Sequence, residues 1–291
     1  MMTIRLGFMA GSWLAPAATA QRAGRLFCTP MGSSRRRARE ASEHAAQRAE
    51  IGVDDHAIAA YVWGDPARQP YVLFAHGWSS HGTRIASWLP ALRNAGYALV
   101  AFDQFAHGRS PGHTANLPVF RDHLLAVGRH FGPAVAVIGH SLGGAATMLA
   151  LDAGLQAGRA VLIAPAADPV DASLRFARMI GLARHAWRRM LAQFEAHLGI
   201  RFDEMQAHAV VPRLATPALV VHDLRDREVP WAEGERYARY WSDARLLSTD
   251  GLGHRRILDD ADVIASGIAF IQGRVVGERV VSSPDLPFGY A

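Results

Sequence analysis

Short apolar runs alternate with amphipathic stretches along most of the chain. Tyr71 to Ala75, Tyr97 to Phe102, Val135 to Ile138, Arg159 to Ala164 and Ala218 to Val221 are near-continuous apolar runs. That is the pattern of strands buried on both faces of a parallel sheet. Ahead of them, Ala45 to Glu50 and Ala57 to Trp63 predict a hairpin turning at Gly52-Val53-Asp54-Asp55. Ser87 to Ala95, ended by Gly96, and Leu117 to Phe131, broken by Gly132-Pro133, predict helices between strands. The small-residue segment up to Leu151 predicts another. Arg245 to Ser248 reads as a last strand, after a helix ending at Tyr237 to Ser242 and before a closing helix from Asp259 to Gln272. Strands and helices in alternation imply an α/β fold, a mostly parallel doubly wound sheet with right-handed crossovers.

The alternation stops once. After the strand 159–164, residues 165–211 carry no strand pattern, and Ala172 to His197 and Arg201 to Ala209 predict two helices inserted there. The expected organisation is an N-terminal helix or mobile segment (1–42), an α/β core (43–164 and 212–273), a helical insertion (165–211) and a tail (274–291). Phe176, Met179, Ile180 and Trp187 recur at helical spacing in the insertion, as a packing face or as an apolar pocket wall.

The chain has 291 residues, half of them hydrophobic, enough for one large domain. Net charge is +5 and the isoelectric point lies near 10. The arginines are scattered, with one dense basic run, Arg35-Arg36-Arg37-Ala38-Arg39, so a nucleic-acid partner is not expected. Residues 32–42 are charged and small and predict a mobile connection. A single cysteine, Cys28, allows no internal disulfide and no cysteine-rich metal site. No apolar run approaches the ~20 residues of a membrane span, so stable membrane insertion is not expected. Arg5, the apolar Leu6 to Leu14 and then Ala-Pro-Ala-Ala-Thr-Ala fit either a signal peptide cut near Ala20 or a helix packed on the domain. The location is accordingly cytoplasmic, or exported if residues 1–20 are a signal.

Chemistry concentrates at Gly139-His140-Ser141-Leu142-Gly143, a G-x-S-x-G pattern with a strand before it and a helix after it. The turn exposes the Ser141 hydroxyl and aims the first helical N–H groups, including that of Leu142, at the space before it. The stretch resembles the nucleophile elbow of the α/β-hydrolase fold superfamily, in its esterase and lipase-like branch. The resemblance spans Ala45 to Gln272 and gives the insertion 165–211 the place of the family's helical cap. It implies that His76-Gly77-Trp78 carries the second oxyanion amide, on Trp78, whose side chain borders the acyl pocket or packs beneath the lid. Asp103 to Ser110 resembles the family's D-x-x-G-x-G-x-S turn, with Ala106 at its first glycine. In that loop Asp103 and His107 are expected to bond backbone amides, and His76 to order its own loop. Asp226, four residues before Pro230, matches the triad acid, with Asp223 as a rival. Gly251-Leu252-Gly253-His254 matches the loop of the catalytic histidine.

The resemblance therefore implies a triad of Ser141, Asp226 and His254 and an oxyanion hole of Trp78 and Leu142. Trp78, Phe176, Met179 and Val229 are the expected contacts to a small-molecule acyl substrate. The implied activity is cleavage of an ester or thioester through an acyl-enzyme. Acyl transfer to another acceptor, C–C bond hydrolysis and non-catalytic ligand binding on the same scaffold stay open. Ser141 stands where haloalkane dehalogenases carry aspartate. No nucleotide, flavin or metal motif is present, so no cofactor is expected, and the oligomeric state is not legible.

Overall fold

A computed structural model of the chain describes residues 2–280. Eight strands form one sheet: β1 (Gln47–Val53), β2 (His56–Trp63), β3 (Tyr71–Ala75), β4 (Ala98–Phe102), β5 (Ala136–His140), β6 (Ala160–Ile163), β7 (Ala218–Asp223) and β8 (Ala244–Thr249). Their spatial order is β1-β2-β4-β3-β5-β6-β7-β8. β1 and β2 are antiparallel, as are β2 and β4, and every pair from β3 and β4 to β7 and β8 is parallel.

The helices are α1 (Met2–Leu14), α2 (Pro16–Phe27), α3 (Gly32–Glu40), α4 (Leu89–Asn94), α5 (Leu117–Phe131), α6 (Leu142–Asp152), α7 (Pro169–Ile180), α8 (Arg184–Leu198), α9 (Ala207–Val210), α10 (Trp231–Tyr240), α11 (Gly253–Arg256) and α12 (Ala261–Ile271). Because side chains alternate along a strand, the continuous apolar runs feed two cores. Leu73, Val100, Val137, Leu162 and Val220 meet α5, α6 and α10 on one face. Phe74, Leu99, Ile138, Val161 and Val221 meet α4 and α12 on the other. β3, β4, β5, β6 and β7 are buried along their whole lengths, as their lack of polar alternation predicts.

The predicted strands and core helices form, several with shifted ends. The helix expected over Ser87 to Ala95 starts as a 3₁₀ segment, Gly82–Trp88, before α4. The single helix expected over Ala172 to His197 is two, because Gly181 caps α7 in the left-handed conformation with φ 77°. The helix expected over Arg201 to Ala209 is interrupted at Gln206, which is extended. There Ala207 N–H leaves the helical ladder and donates to the Ala167 carbonyl, tying the end of the insertion to its start.

Residues 32–42 are not a loose connection. They contain α3, and Arg35 donates to the carbonyls of Gly112, at 2.9 Å, and Ser110. One charge of the dense basic run, that of Arg35, is used on loop carbonyls. The N-terminal stretch packs on the insertion. Phe8, Ala20 and Ala23 are buried against Ala177, Ile180, Trp187 and Met190 of the insertion. At the other end, Glu278 exchanges two 2.8 Å hydrogen bonds with Leu246. The remainder of the expected tail, 281–291, lies outside the described residues. Among the described residues no helix is long and apolar enough to cross a membrane.

Candidate active site

Ser141 sits between β5 and α6 with φ 56° and ψ −122°, a conformation rarely adopted by a residue with a side chain. Small neighbours permit it. A Cβ on Gly143 would lie 2.1 Å from the Ala75 carbonyl oxygen. A Cβ on Gly77 would lie 2.8 Å from the Ser141 Cβ and 3.4 Å from its Oγ, so the backbone after β3 runs directly against the serine. Leu142 and Gly143 open α6, where N–H groups have no carbonyl one turn back. This puts the helix start and the Gly77-Trp78 backbone on the serine's side of the sheet edge.

His254 enters from α11, after β8. Its Nε2 is 2.9 Å from Ser141 Oγ and its Nδ1 is 2.7 Å from Asp226 Oδ2. Asp226 lies in the loop after β7, where its Oδ1 accepts from the N–H groups of Glu228 and Val229 at 2.8 and 2.9 Å. Burial opposes its charge. Hydrogen bonds from His222, His254 and Val229 outweigh burial and hold the carboxyl well below the usual carboxylate range.

Asp223 does not reach His254. It accepts from Thr249 Oγ1 at 2.7 Å and from the Leu252 and Arg225 N–H groups, each at 2.9 Å. It thereby anchors the loop that carries the histidine.

Two further histidines touch this line, and neither was given a role from the sequence. His222 at the end of β7 is fully buried, with Nε2 3.0 Å from the Val229 carbonyl and 3.4 Å from Asp226 Oδ2. His140 Nε2 donates to the His254 carbonyl at 2.9 Å. Burial, and then the neighbouring His254, push the His140 pKa down to about 3, so it stays neutral. Their sequence signal is weak: each is a histidine ending an apolar strand, one residue before a feature that draws more notice.

The loop after β3 is also ordered by histidines. His76 Nε2 accepts from Gln104 N–H at 3.0 Å, and its Nδ1 donates to the Gly77 carbonyl at 2.7 Å. His107 Nε2 accepts from Ser79 N–H at 3.0 Å. Asp103 accepts from Gly82 N–H, Arg109 N–H and Tyr61 Oη, all at 2.7 Å. The Trp78 indole packs edge-on to His107 with ring centres 5.0 Å apart, and also meets Phe120.

The expected pocket residues are not all brought together. Phe176 packs on Phe27, with ring centres 5.0 Å apart, and the carbonyl of the half-exposed Met179 accepts from Arg5 at 2.8 Å. The α7 stripe faces α1 and α2, partners that periodicity could not reveal, so the expectation of a pocket wall there gives way to packing. Val229 is buried, and its backbone holds Asp226 and His222. Among the described residues no three His, Cys, Asp or Glu side chains converge as metal ligands.

Sheet order and strand–turn–helix together define the α/β-hydrolase fold. The chain belongs to the alpha/beta hydrolase family, whose sequence model matches residues 72–266, and it is an enzyme of that family. It is 28% identical over 265 residues to a putative carbamate hydrolase, RutD, of Variovorax paradoxus (strain S110), covering 76% of this chain and 96% of that protein. Among solved structures it is similar in fold to 2-hydroxy-6-oxo-6-phenylhexa-2,4-dienoate hydrolase from Rhodococcus sp. strain RHA1. There the TM-score is 0.58 and identity 19%, over 78% of this chain and 98% of that one. A putative lipase from Acinetobacter baumannii AYE gives a TM-score of 0.61 at 15% identity, over 82% and 95%.

Proposed function

We propose that the protein is a serine hydrolase that cleaves a carboxylic ester or thioester through an acyl-enzyme on Ser141. The observation that carries this reading is the continuous line from Asp226 through His254 to Ser141, with contacts of 2.7 and 2.9 Å. A serine hydroxyl is a weak nucleophile at neutral pH and needs such a base, itself oriented by a carboxylate. Asp226 fixes the imidazole tautomer that leaves Nε2 free to accept a proton.

In the forward step Ser141 Oγ attacks the acyl carbon while its proton passes to His254 Nε2. The carbonyl oxygen becomes an oxyanion held by the Leu142 and Trp78 N–H groups. Collapse breaks the bond to the leaving group, which takes the proton from His254. Water then repeats the sequence on the acyl-serine, giving its proton to His254 and releasing the acid and free Ser141. The segment 165–211, joined to α1 and α2, acts as the cap. Its start is anchored at the elbow, where Ala166 N–H lies 3.4 Å from the Ser141 carbonyl.

The decisive experiment is intact-mass analysis after exposure to a fluorophosphonate. One adduct is expected on the wild type and none on Ser141→Ala; a folded wild type that stays unlabelled would overturn the reading. A panel of p-nitrophenyl esters of rising chain length then sizes the acyl site. A carbamate belongs in that panel, since a relative is named for carbamate hydrolysis.

A further inference from the structure

The first helix presents a face that no described residue covers. Met2, Leu6, Met9 and Trp13 recur at i, i+4, i+7 and i+11, one line along α1. They are 77, 59, 50 and 77% exposed, and Leu14 beside them is 85% exposed. The opposite side of the same helix is buried through Phe8 and Ser12. The exposed line continues onto the insertion. Met9 Cγ lies 3.1 Å from where a Cβ on Gly181 would stand, next to the half-exposed Met179. Trp13 packs against His185 of α8 with ring centres 4.8 Å apart and planes tilted by 56°. A contiguous apolar patch of this kind on a folded surface marks an interaction site.

The charge around it points to the partner. Residues 1–39 hold seven arginines and no acidic residue. Arg188 and Arg189 are exposed one turn beyond His185, and Arg178 is exposed beside Met179. Among the described residues none of these three is in an ion pair. An apolar line with a tryptophan, fringed by uncompensated arginines, matches a surface that is greasy below and anionic above. At 13 residues α1 is too short to cross a bilayer. We propose that α1, with the adjoining edge of α7 and α8, is a docking face that lies in the plane of an anionic lipid surface.

The test is co-sedimentation of the full chain with phosphatidylcholine vesicles, with and without phosphatidylglycerol. Binding is expected only where phosphatidylglycerol is present. Leu6→Ser with Trp13→Ser, removing two apolar anchors, should weaken the partition roughly tenfold or more. Arg188→Gln with Arg189→Gln should weaken it by a similar factor. Both double variants should keep the wild-type melting temperature, which separates loss of docking from loss of fold. The proposal is overturned if phosphatidylglycerol makes no difference, or if the apolar substitutions leave binding unchanged. It is also overturned if light scattering finds a dimer that the apolar substitutions dissolve, or if intact mass finds residues 1–20 removed from the mature chain.

Discussion

His222 and Asp226 lie 3.4 Å apart, both without solvent access to their side chains, so a second imidazole backs the carboxylate that orients His254. The same Nε2 is 3.0 Å from the Val229 carbonyl, and that residue's N–H binds the other oxygen of Asp226. Removing the ring loosens the acid from two sides. His222→Leu is expected to lower kcat roughly tenfold with KM little changed, since a hydrogen bond to a charged group contributes about 1.5–3 kcal/mol. Steady-state kinetics on a p-nitrophenyl ester checks it, and an unchanged kcat would reduce His222 to a space filler.

The two acids near His254 separate by what they hold. Asp226→Asn keeps the shape but favours the wrong imidazole tautomer, and is expected to cost on the order of 10⁴ in kcat. Asp223→Asn weakens the bonds to Thr249 and Leu252, which position the loop rather than the ring. Its main effect should be a lower melting temperature with a much smaller loss of kcat. The opposite ranking in paired kinetic and melting measurements would exchange their roles.

Gly77→Ala tests the approach of the β3 loop to the serine. The added methyl would sit 2.8 Å from the Ser141 Cβ, so one of the two backbones must move. A displacement of about 1 Å in such a site costs roughly 100-fold. The rate of fluorophosphonate labelling should fall by that order while far-ultraviolet circular dichroism stays wild-type. Labelling at the wild-type rate would mean that the loop yields without cost.

Buried neutral histidines set the acid limit of the fold. Burial lowers the pKa of His107 and of His123 to about 4, and that of His140 to about 3. His76 is driven well below its ordinary value by burial, with His107 adding to it. In the unfolded chain these rings take up protons below pH ~6.5, whereas in the folded protein they resist until far lower. The unfolded state therefore binds more protons between those limits, and stability falls as pH drops from about 6.5 toward 4, by roughly 2 kcal/mol for each ring at pH ~5. Urea midpoints measured at neutral pH and near pH 5 should show the loss. His107→Asn, a ring removed, should flatten the slope even if it lowers stability at pH 7.

Asp168 binds Arg236 at 2.6 Å, with both side chains buried, and also caps α7 through the Val170 and Asp171 N–H groups. Asp168→Ala leaves a guanidinium buried without that partner and is expected to cost about 3–5 kcal/mol in urea unfolding. A loss below about 1 kcal/mol would show that the surrounding groups compensate.

The parallel strands could be read because burial on both faces leaves no polar alternation, and β3 to β7 carry that mark. The meeting of Ser141, Asp226 and His254 could be read from the order of their loops along the chain, and the helix start at Leu142 from the small-residue run after the serine. His222 stayed hidden because its contact with Asp226 is made by a loop turning back across four residues, which no periodicity records. The stripe with Phe176 and Met179 left packing and pocket wall both open, because its partners, Phe27 and Arg5, lie about 150 or more residues away in the chain. The break at Gly181 could have been seen, since glycine at the end of an amphipathic run is a stop signal.

The N-terminal segment is stitched to two bodies at once. Upstream, Phe27 and Gly24 rest on Phe176 and Phe194 of the insertion. Downstream, the Cys28 carbonyl accepts from Ala115 N–H at 2.8 Å and Met31 N–H donates to Ser79 Oγ at 3.0 Å, immediately after Trp78. Any swing of the insertion away from Ser141 must carry α1 and α2 with it and flex the few residues between Phe27 and Gly32. The segment is a tether between the insertion and the loop after β3, anchored at Ser79, one residue from the proposed oxyanion donor.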